Sequence, residues 1–488
     1  MNGFLSESTC RMILERYNRT KIVATVGPAS HSEAILEPLI LAGMDVCRIN
    51  SSHGDHAMME ETIRIIRKLN EKLQTHVAIL FDLQGPKIRI GDLQEKDVVL
   101  REGDALVLSQ EEVPGTASEV YIKYPHFHKD VKEGDTVLVD DGKIQLRVTG
   151  IRPDGKVDTL VVYGGPLSSR KGVNLPNTLI SLPSLTEKDR NDLDFALRHD
   201  VEWIGLSFVR KAKDVEELRG IIRNAGKSAR VVAKIEKPEA IRNIDAIIEA
   251  SDGIMVARGD LGVEMPMEQV PVIQKQIVHK CNIASKPVII ATQMMESMIT
   301  NYRPTRAEAN DVGNAVFDGA DALMLSAETS VGVYPVETVA AMQKIITEIE
   351  KEDSIYFREH TPAQDSRNFI PEQICQLSVV MAKQTNATAI VAMTHSGMTA
   401  FKISSHRPKA GIFIFTDNRP ILNTLNLVWG IRGFYYDKYE STDTTISDIR
   451  KHLVENSLVK PGDYIIHIAS TPIHEKSTAN TIKLARVE

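Results

Sequence analysis

Residues 230–258, RVVAKIEKPEAIRNIDAIIEASDGIMVAR, set two short apolar runs around a segment of helical periodicity. RVVAKI (230–235) and GIMVAR (253–258) are rich in aliphatic residues and turn polar only towards their ends, as strands covered on both faces require. The segment PEAIRNIDAIIEA between them is helix-like, so the unit is strand, crossover helix, parallel strand. Six more runs repeat it: KIVATV (21–26), DVCRIN (45–50), HVAILFDL (76–83), WIGLSF (203–208), PVIIAT (287–292) and ALMLSA (322–327). An open doubly wound sheet alternates in the same way, but eight strand–helix units predict a closed (β/α)8 barrel.

One connection breaks the rhythm. After the third strand, about a hundred residues alternate polar and apolar positions and carry hairpin signals at DDGK and PDGK. They predict a small β-barrel domain at 88–182, inserted at the C-terminal end of a barrel strand, where it can act as a lid. The barrel is expected over 19–87 and 183–352, behind a short N-terminal helical segment (1–18). From about 353 the pattern restarts with AIVAMT, GIFIFTD, IRGFYYD, DYIIHIAS and TIKLARVE, which predicts a separate open α/β domain over 353–488.

Bulk properties exclude some functions. The 488 residues are 42% hydrophobic and 25% charged with a formal charge of -7, which argues against a nucleic-acid partner. The four cysteines are scattered without a CxxC pair and read as reduced thiols. No signal-type or membrane-spanning run is evident, so the expected location is cytoplasmic.

Barrel chemistry sits at the C-terminal strand ends, and here those ends are polar: Arg48 and Asn50, Asp82, Ser207, Lys234 and Glu236, Arg258 and Asp260, Thr292, Ser326 and Glu328. One such residue is ordinarily a helix cap; seven strand ends in concert are hard to explain as capping. Glu236 and Asp260, from adjacent strands, could share a hard divalent cation such as Mg2+. The competing reading pairs them with Lys234 and Arg258 as salt bridges. Arg48, Arg89, Lys234 and Lys87 supply charge suited to phosphate oxygens. Neither a GxxxxGK[ST] nor a helix-opening GxGxxG occurs. The residues alone therefore reach metal-assisted chemistry on a phosphorylated or anionic small substrate, which leaves a barrel lyase open beside a phosphotransferase.

Nine stretches narrow this. TKIVATVGPAS, GMDVCRINSSHGDH, GPKIRIG, KGVNLP, VVAKIEKPEAI, SDGIMVARGDLGVE, ATQMMESM, RPTRAEANDVGNAVFDGADALMLSAETSVGVYPVE and THSGMT occur in this order from about residue 20 onwards. Together they resemble the pyruvate kinase family. The resemblance implies phosphoryl transfer from phosphoenolpyruvate to ADP, giving ATP and pyruvate, with Mg2+ (or Mn2+) as cofactor in a homotetramer. It assigns Lys234 to the moving phosphoryl and enolate charge, Glu236 and Asp260 to Mg2+, and Arg48 to the phosphate. The backbone from Ala257 to Gly259, together with Thr292, falls at the substrate carboxylate, with Thr292 near the proton route, and Asp260 and Ser207 also fall in the substrate site. Pro28, Asn50, His53, Arg89 and Lys171 line the nucleotide site, and Ser326 and Glu328 are candidates for ordering water.

Departures from the family pattern are informative. Where most members have a glutamate beside a potassium site, this chain has Lys87. The positions matching the potassium ligands are Asn50, Ser52 and Asp82. This resembles the potassium-independent branch, in which a fixed ammonium replaces the ion and would repel one. Thr394, Ser396, Gly397 and Thr399 match an effector-phosphate loop. The late loop STPIHEKSTANTIKL lacks the glycines that permit close backbone approach, which leaves a different phosphorylated effector, or none, as the expectation.

Overall fold

The computed structural model describes residues 17–488 apart from 53, 97, 177, 363, 365, 367, 439–440 and 472–477. The helical segment expected at 1–18 and the candidate His53 fall outside the described residues, the former but for its last two. Eight strands form a closed, all-parallel barrel: β1 (Lys21–Val26), β2 (Val46–Asn50), β3 (Ala78–Asp82), β4 (Trp203–Leu206), β5 (Arg230–Ile235), β6 (Gly253–Ala257), β7 (Val288–Ala291) and β8 (Ala322–Leu325). β8 returns to pair with β1. The expected barrel is thus present, and the open-sheet alternative is excluded.

The two-residue period of a strand explains where the polar residues go. On β1, Ile22, Ala24 and Val26 pack outward under the helices, whereas Val23 joins the interior with Val46, Leu80, Trp203, Val232 and Met255. Two residues further along, the same inward phase gives Thr25 on β1, Arg48 on β2, Asp82 on β3 and Lys234 on β5. The interior is thus apolar at mid-height and charged at its C-terminal mouth.

Between β3 and β4 the chain forms a curled six-stranded sheet, from Val173–Asn174 at one edge to Glu119–Tyr121 at the other, and a two-stranded ribbon. This insert encloses its own apolar core, with Leu106, Val137, Leu146 and Val161 nearly inaccessible to solvent. Its outgoing and returning strands are stitched at the base: Val173 N donates to Ile88 O (2.9 Å) and Ile90 N to Lys171 O (3.0 Å).

The C-terminal sheet has the order β11-β10-β9-β12-β13, with β9 (Ala389–Met393), β10 (Gly411–Thr416), β11 (Ile431–Tyr435) and β12 (Tyr464–Ala469) parallel and β13 (Thr481–Arg486) antiparallel. It docks on the opposite, N-terminal end of the barrel. Lys21 Nζ donates to Ile431 O (3.2 Å), Trp203 Nε1 to Thr424 O (3.2 Å), and Arg407 pairs with Asp321 (2.8 Å).

Candidate active site

The mouth of the barrel holds one connected charge network. Arg48 reaches Asp82 Oδ2 through Nε (2.9 Å) and Nη2 (2.5 Å), and its Nη1 donates to Thr25 Oγ1 (2.9 Å). Lys234 Nζ lies 3.3 Å from the same Asp82 oxygen, 3.0 Å from Glu236 Oε1 and 2.8 Å from Ser207 Oγ. Ser207 in turn donates to Leu83 O (2.7 Å). Arg48, Asp82, Ser207, Lys234 and Glu236, named from strand ends alone, are therefore brought together, and Thr25 joins them. Space for Asp82 comes from β4, where a Cβ on Gly205 would sit 2.7 Å from its Oδ1.

Burial and charge set the protonation states. Desolvation alone would lower the Lys234 pKa, but Asp82 and Glu236 outweigh it and hold the ammonium above the ordinary lysine range. Burial raises Asp82, yet Lys234 and Arg48 overcome this and keep its carboxyl below the usual range. Glu236 lies above the usual range, pushed first by burial; Lys234 pulls it back, and Asp260 pushes it up further. Glu236 is thus close enough to Asp260 to feel its charge.

Asp260 differs from its neighbours. It stands in the first turn of the helix Arg258–Glu264, is partly exposed, and has no donor to its carboxylate among the described residues. The pairing with Arg258 that the competing reading required does not occur: that guanidinium binds Asp311 (2.7 Å) and Thr292 O (2.7 Å). The salt-bridge alternative therefore accounts for Glu236 and not for Asp260. Two hard-oxygen ligands, one of them without a protein cation, fit a divalent ion.

Thr292 and Gly259 meet directly, with Gly259 N donating to Thr292 Oγ1 (2.8 Å). Thr292 and Gln293 just past β7, and Phe208 just past β4, all have positive φ (71°, 54° and 54°), a costly backbone for such residues that functional sites retain. Phe208 N uses that geometry to donate to Glu236 Oε2 (2.8 Å).

Lys87 and Asp260 line the same cleft, a cavity of about 1000 Å3 walled on one side by Leu138, Asp141 and Gly142 of the inserted sheet. Lys87 is exposed and among the described residues has no carboxylate partner and no hydrogen bond to Asn50, Ser52 or Asp82. Asn50 Oδ1 accepts from Ser52 N (3.1 Å), closing the turn after β2. The other nucleotide candidates remain apart from the network. Pro28 is exposed, Arg89 donates to Arg170 O (3.0 Å), and Lys171 pairs with Asp140 of the lid (2.8 Å). Glu328 is buried with its oxygens taken by Met295 N (3.2 Å) and Ser326 N (2.6 Å), which makes it a brace for the loop after β8.

Sequence reasoning passed over Lys188, which donates to Ser51 O (2.7 Å) beside Asn50, and over Lys237 and Glu264. The latter pair lie one residue after Glu236 and four after Asp260, adjacency that could have marked them. Far from the mouth, Thr394, Ser396 and Thr399 line a cavity of about 300 Å3 with His395 and Lys402. Gly397 takes φ 81°, and its N donates to Thr394 Oγ1 (3.0 Å).

A family model described as pyruvate kinase, barrel domain, matches residues 17–339, and one described as pyruvate kinase, alpha/beta domain, matches 372–485. The chain is 42% identical over 473 residues to the pyruvate kinase of Clostridium acetobutylicum, spanning 96% of this chain and 100% of that one. It is 43% identical over 470 residues to the pyruvate kinase of Geobacillus stearothermophilus, spanning 96% and 80%. A crystal structure of a pyruvate kinase from Cryptosporidium parvum superposes with a TM-score of 0.90 at 34% identity, covering 99% of this chain and 98% of that chain.

Proposed function

The chain belongs to the pyruvate kinase family of phosphotransferases, and from that premise we propose that it moves the phosphoryl group of phosphoenolpyruvate to ADP. The bond from phosphorus to the enol oxygen breaks, a bond to a terminal β-phosphate oxygen of ADP forms, and the enolate takes a proton on carbon to give pyruvate. The observation that carries this reading is the largely buried Lys234 ammonium, held between Asp82, Glu236 and Ser207 beside the unpaired Asp260. An ammonium fixed in this way stabilises the transferring phosphoryl and the enolate oxygen without reorganising as charge develops.

Arg48, braced by Asp82 and Thr25, contacts the phosphate. Glu236 and Asp260 hold Mg2+, or Mn2+ in its place. When bound, the ion neutralises charge on the substrate oxygens. The backbone from Ala257 to Gly259, together with Thr292, seats the substrate carboxylate, Asp260 and Ser207 line the same site, and Thr292 lies near the proton route. Pro28, Asn50, His53, Arg89 and Lys171 line the nucleotide site, with 88–182 closing over it as a lid on the barrel of 19–87 and 183–352. Lys87 supplies to the cleft the charge that potassium supplies elsewhere, so no K+ is required; its unpaired ammonium on the wall that carries Asp260 favours this reading.

A phosphorylated effector in the cavity of Thr394, Ser396 and Thr399, in the 353–488 domain, is supported by its hydroxyls and Lys402. Assembly as a homotetramer and a cytoplasmic location are carried over from the family; among the described residues no helix is long and apolar enough to cross a membrane.

The test is pyruvate formation from phosphoenolpyruvate, ADP and Mg2+ in buffer whose only monovalent cation is a bulky organic one. Full turnover is expected. Absence of pyruvate under any salt condition contradicts the reaction, and strong activation by added K+ contradicts the role of Lys87.

A further inference from the structure

We propose that Lys237, Glu264 and Asn174 form a clamp that fixes the spacing of Glu236 and Asp260 and ties it to the position of the lid, an inference that rests on reading those two carboxylates as the divalent-cation ligands. Lys237 directly follows Glu236, and Glu264 ends the seven-residue helix that carries Asp260. Both are buried, at 6% and 3% of their free surface, and Lys237 Nζ donates to Glu264 Oε1. The same oxygen accepts Asn174 Nδ2 at 2.8 Å.

Asn174 belongs to the strand on which the lid returns to the barrel, next to Val173, whose N–H closes the hinge on Ile88. One carboxylate therefore joins three segments: the one bearing Glu236, the one bearing Asp260, and the lid. A fourth segment is tied in through Phe208. Lys237 Nζ lies 6.0 Å from its ring centroid, and Phe208 N holds Glu236 Oε2. A small cavity bordered by Lys87, Asn174, Phe208, Lys237 and Asp260 brings these groups to one place.

An ion pair this deep is a poor way to gain stability, because apolar residues of similar volume commonly do as well. What it adds is direction. The pair holds two backbone segments at one separation, and Asn174 makes that separation depend on lid position. Groups that orient metal ligands without touching the metal typically change affinity by about 10–100-fold when removed. Lys237 and Glu264 are accordingly positioning residues.

The test is electron paramagnetic resonance titration of the full chain with Mn2+ alone, on the parent, on Lys237→Met/Glu264→Leu and on Asn174→Ala, beside thermal unfolding and steady-state kinetics. The double variant replaces the pair by apolar groups and is expected to unfold near the parent midpoint while its Mn2+ Kd rises on the order of tenfold. Asn174→Ala, which leaves the ion pair in place, is expected to raise the Mn2+ Kd and the KM for ADP several-fold, with kcat falling less than KM rises. Parent-like Mn2+ affinity in a folded double variant or in Asn174→Ala overturns the clamp while leaving the ligand assignment standing. A parent chain that binds no Mn2+ overturns the assignment of Glu236 and Asp260, and the clamp with it. Should the double variant fail to fold, Asn174→Ala decides alone.

Discussion

The barrel buries charge at both of its ends, and the two ends use it differently. At the base, Lys21 lies 3.6 Å from Asp45 and Arg407 lies 2.8 Å from Asp321, each cation in an ion pair with one carboxylate. Arg407 Nη2 also donates to Gly319 O and Asn282 Oδ1, its Nη1 donates to Ser404 O, and Trp429 lies against its guanidinium. At the mouth, the buried network sets Arg48 and Lys234 against Asp82, Glu236 and the nearby charge of Asp260, three carboxylates for two cations, while the exposed Lys87 lines the cleft outside that network. The contrast shows in the lysines. Burial, helped by Arg432, lowers the pKa of Lys21 despite Asp45 and Glu350, whereas Asp82 and Glu236 outweigh burial and raise that of Lys234. Paired charge against the C-terminal domain is a fastening; surplus negative charge in a network that opens on a cleft is charge that the proposed divalent cation would offset.

Substitutions should separate the two ends. Lys234→Met removes the mouth's fixed ammonium and is expected to lower kcat by on the order of 10^3-fold or more, with circular dichroism and thermal unfolding confirming that the fold persists. Near-parental pyruvate formation in that variant would break the comparison at its active end. Arg407→Ala strands a buried Asp321 and should cost about 3–5 kcal/mol of stability, read by urea unfolding. Its turnover per folded molecule should stay close to the parent's, and a loss of kcat at full folding would show that the base takes part in chemistry.

Acid should undo the base first. His406, beside Arg407, and His467 on β12 are held neutral by burial, with pKa values lowered to about 3 and about 4. Their unfolded forms titrate near ~6.5, so stability is complete above that pH and falls as pH drops towards 4, by about 1.4 kcal/mol per unit for each histidine. Asp82 is shifted below its unfolded value of ~3.9, so its contribution is present above that pH and lost only beneath it. Unfolding free energy measured between pH 7 and 4 should therefore decline with a slope that His406→Asn reduces and Asp82→Asn does not.

Much of this was legible in the chain because strands and barrels impose simple periods. Continuous apolar runs marked both-face burial, and polar residues at their ends fell in the inward phase, so Arg48, Asp82, Ser207, Lys234 and Glu236 could be named before any distance was known. Pairing was not legible. Arg258 stands two residues from Asp260 yet turns to Asp311 and Thr292 O, because a helix begins there and swings the two side chains apart. Lys237 and Glu264 were hidden for another reason. Charged residues are normally exposed, and only the packing of the lid return against the barrel buries them. The base of the barrel was equally silent, since Arg407 and Asp321 are 86 residues apart in sequence.

The most direct test of the surplus-charge account is Mn2+ binding to the parent and to Asp260→Asn in the absence of substrates. The account predicts one site per chain, weakened at least tenfold when the Asp260 charge is removed. Equal affinity in parent and variant would contradict it.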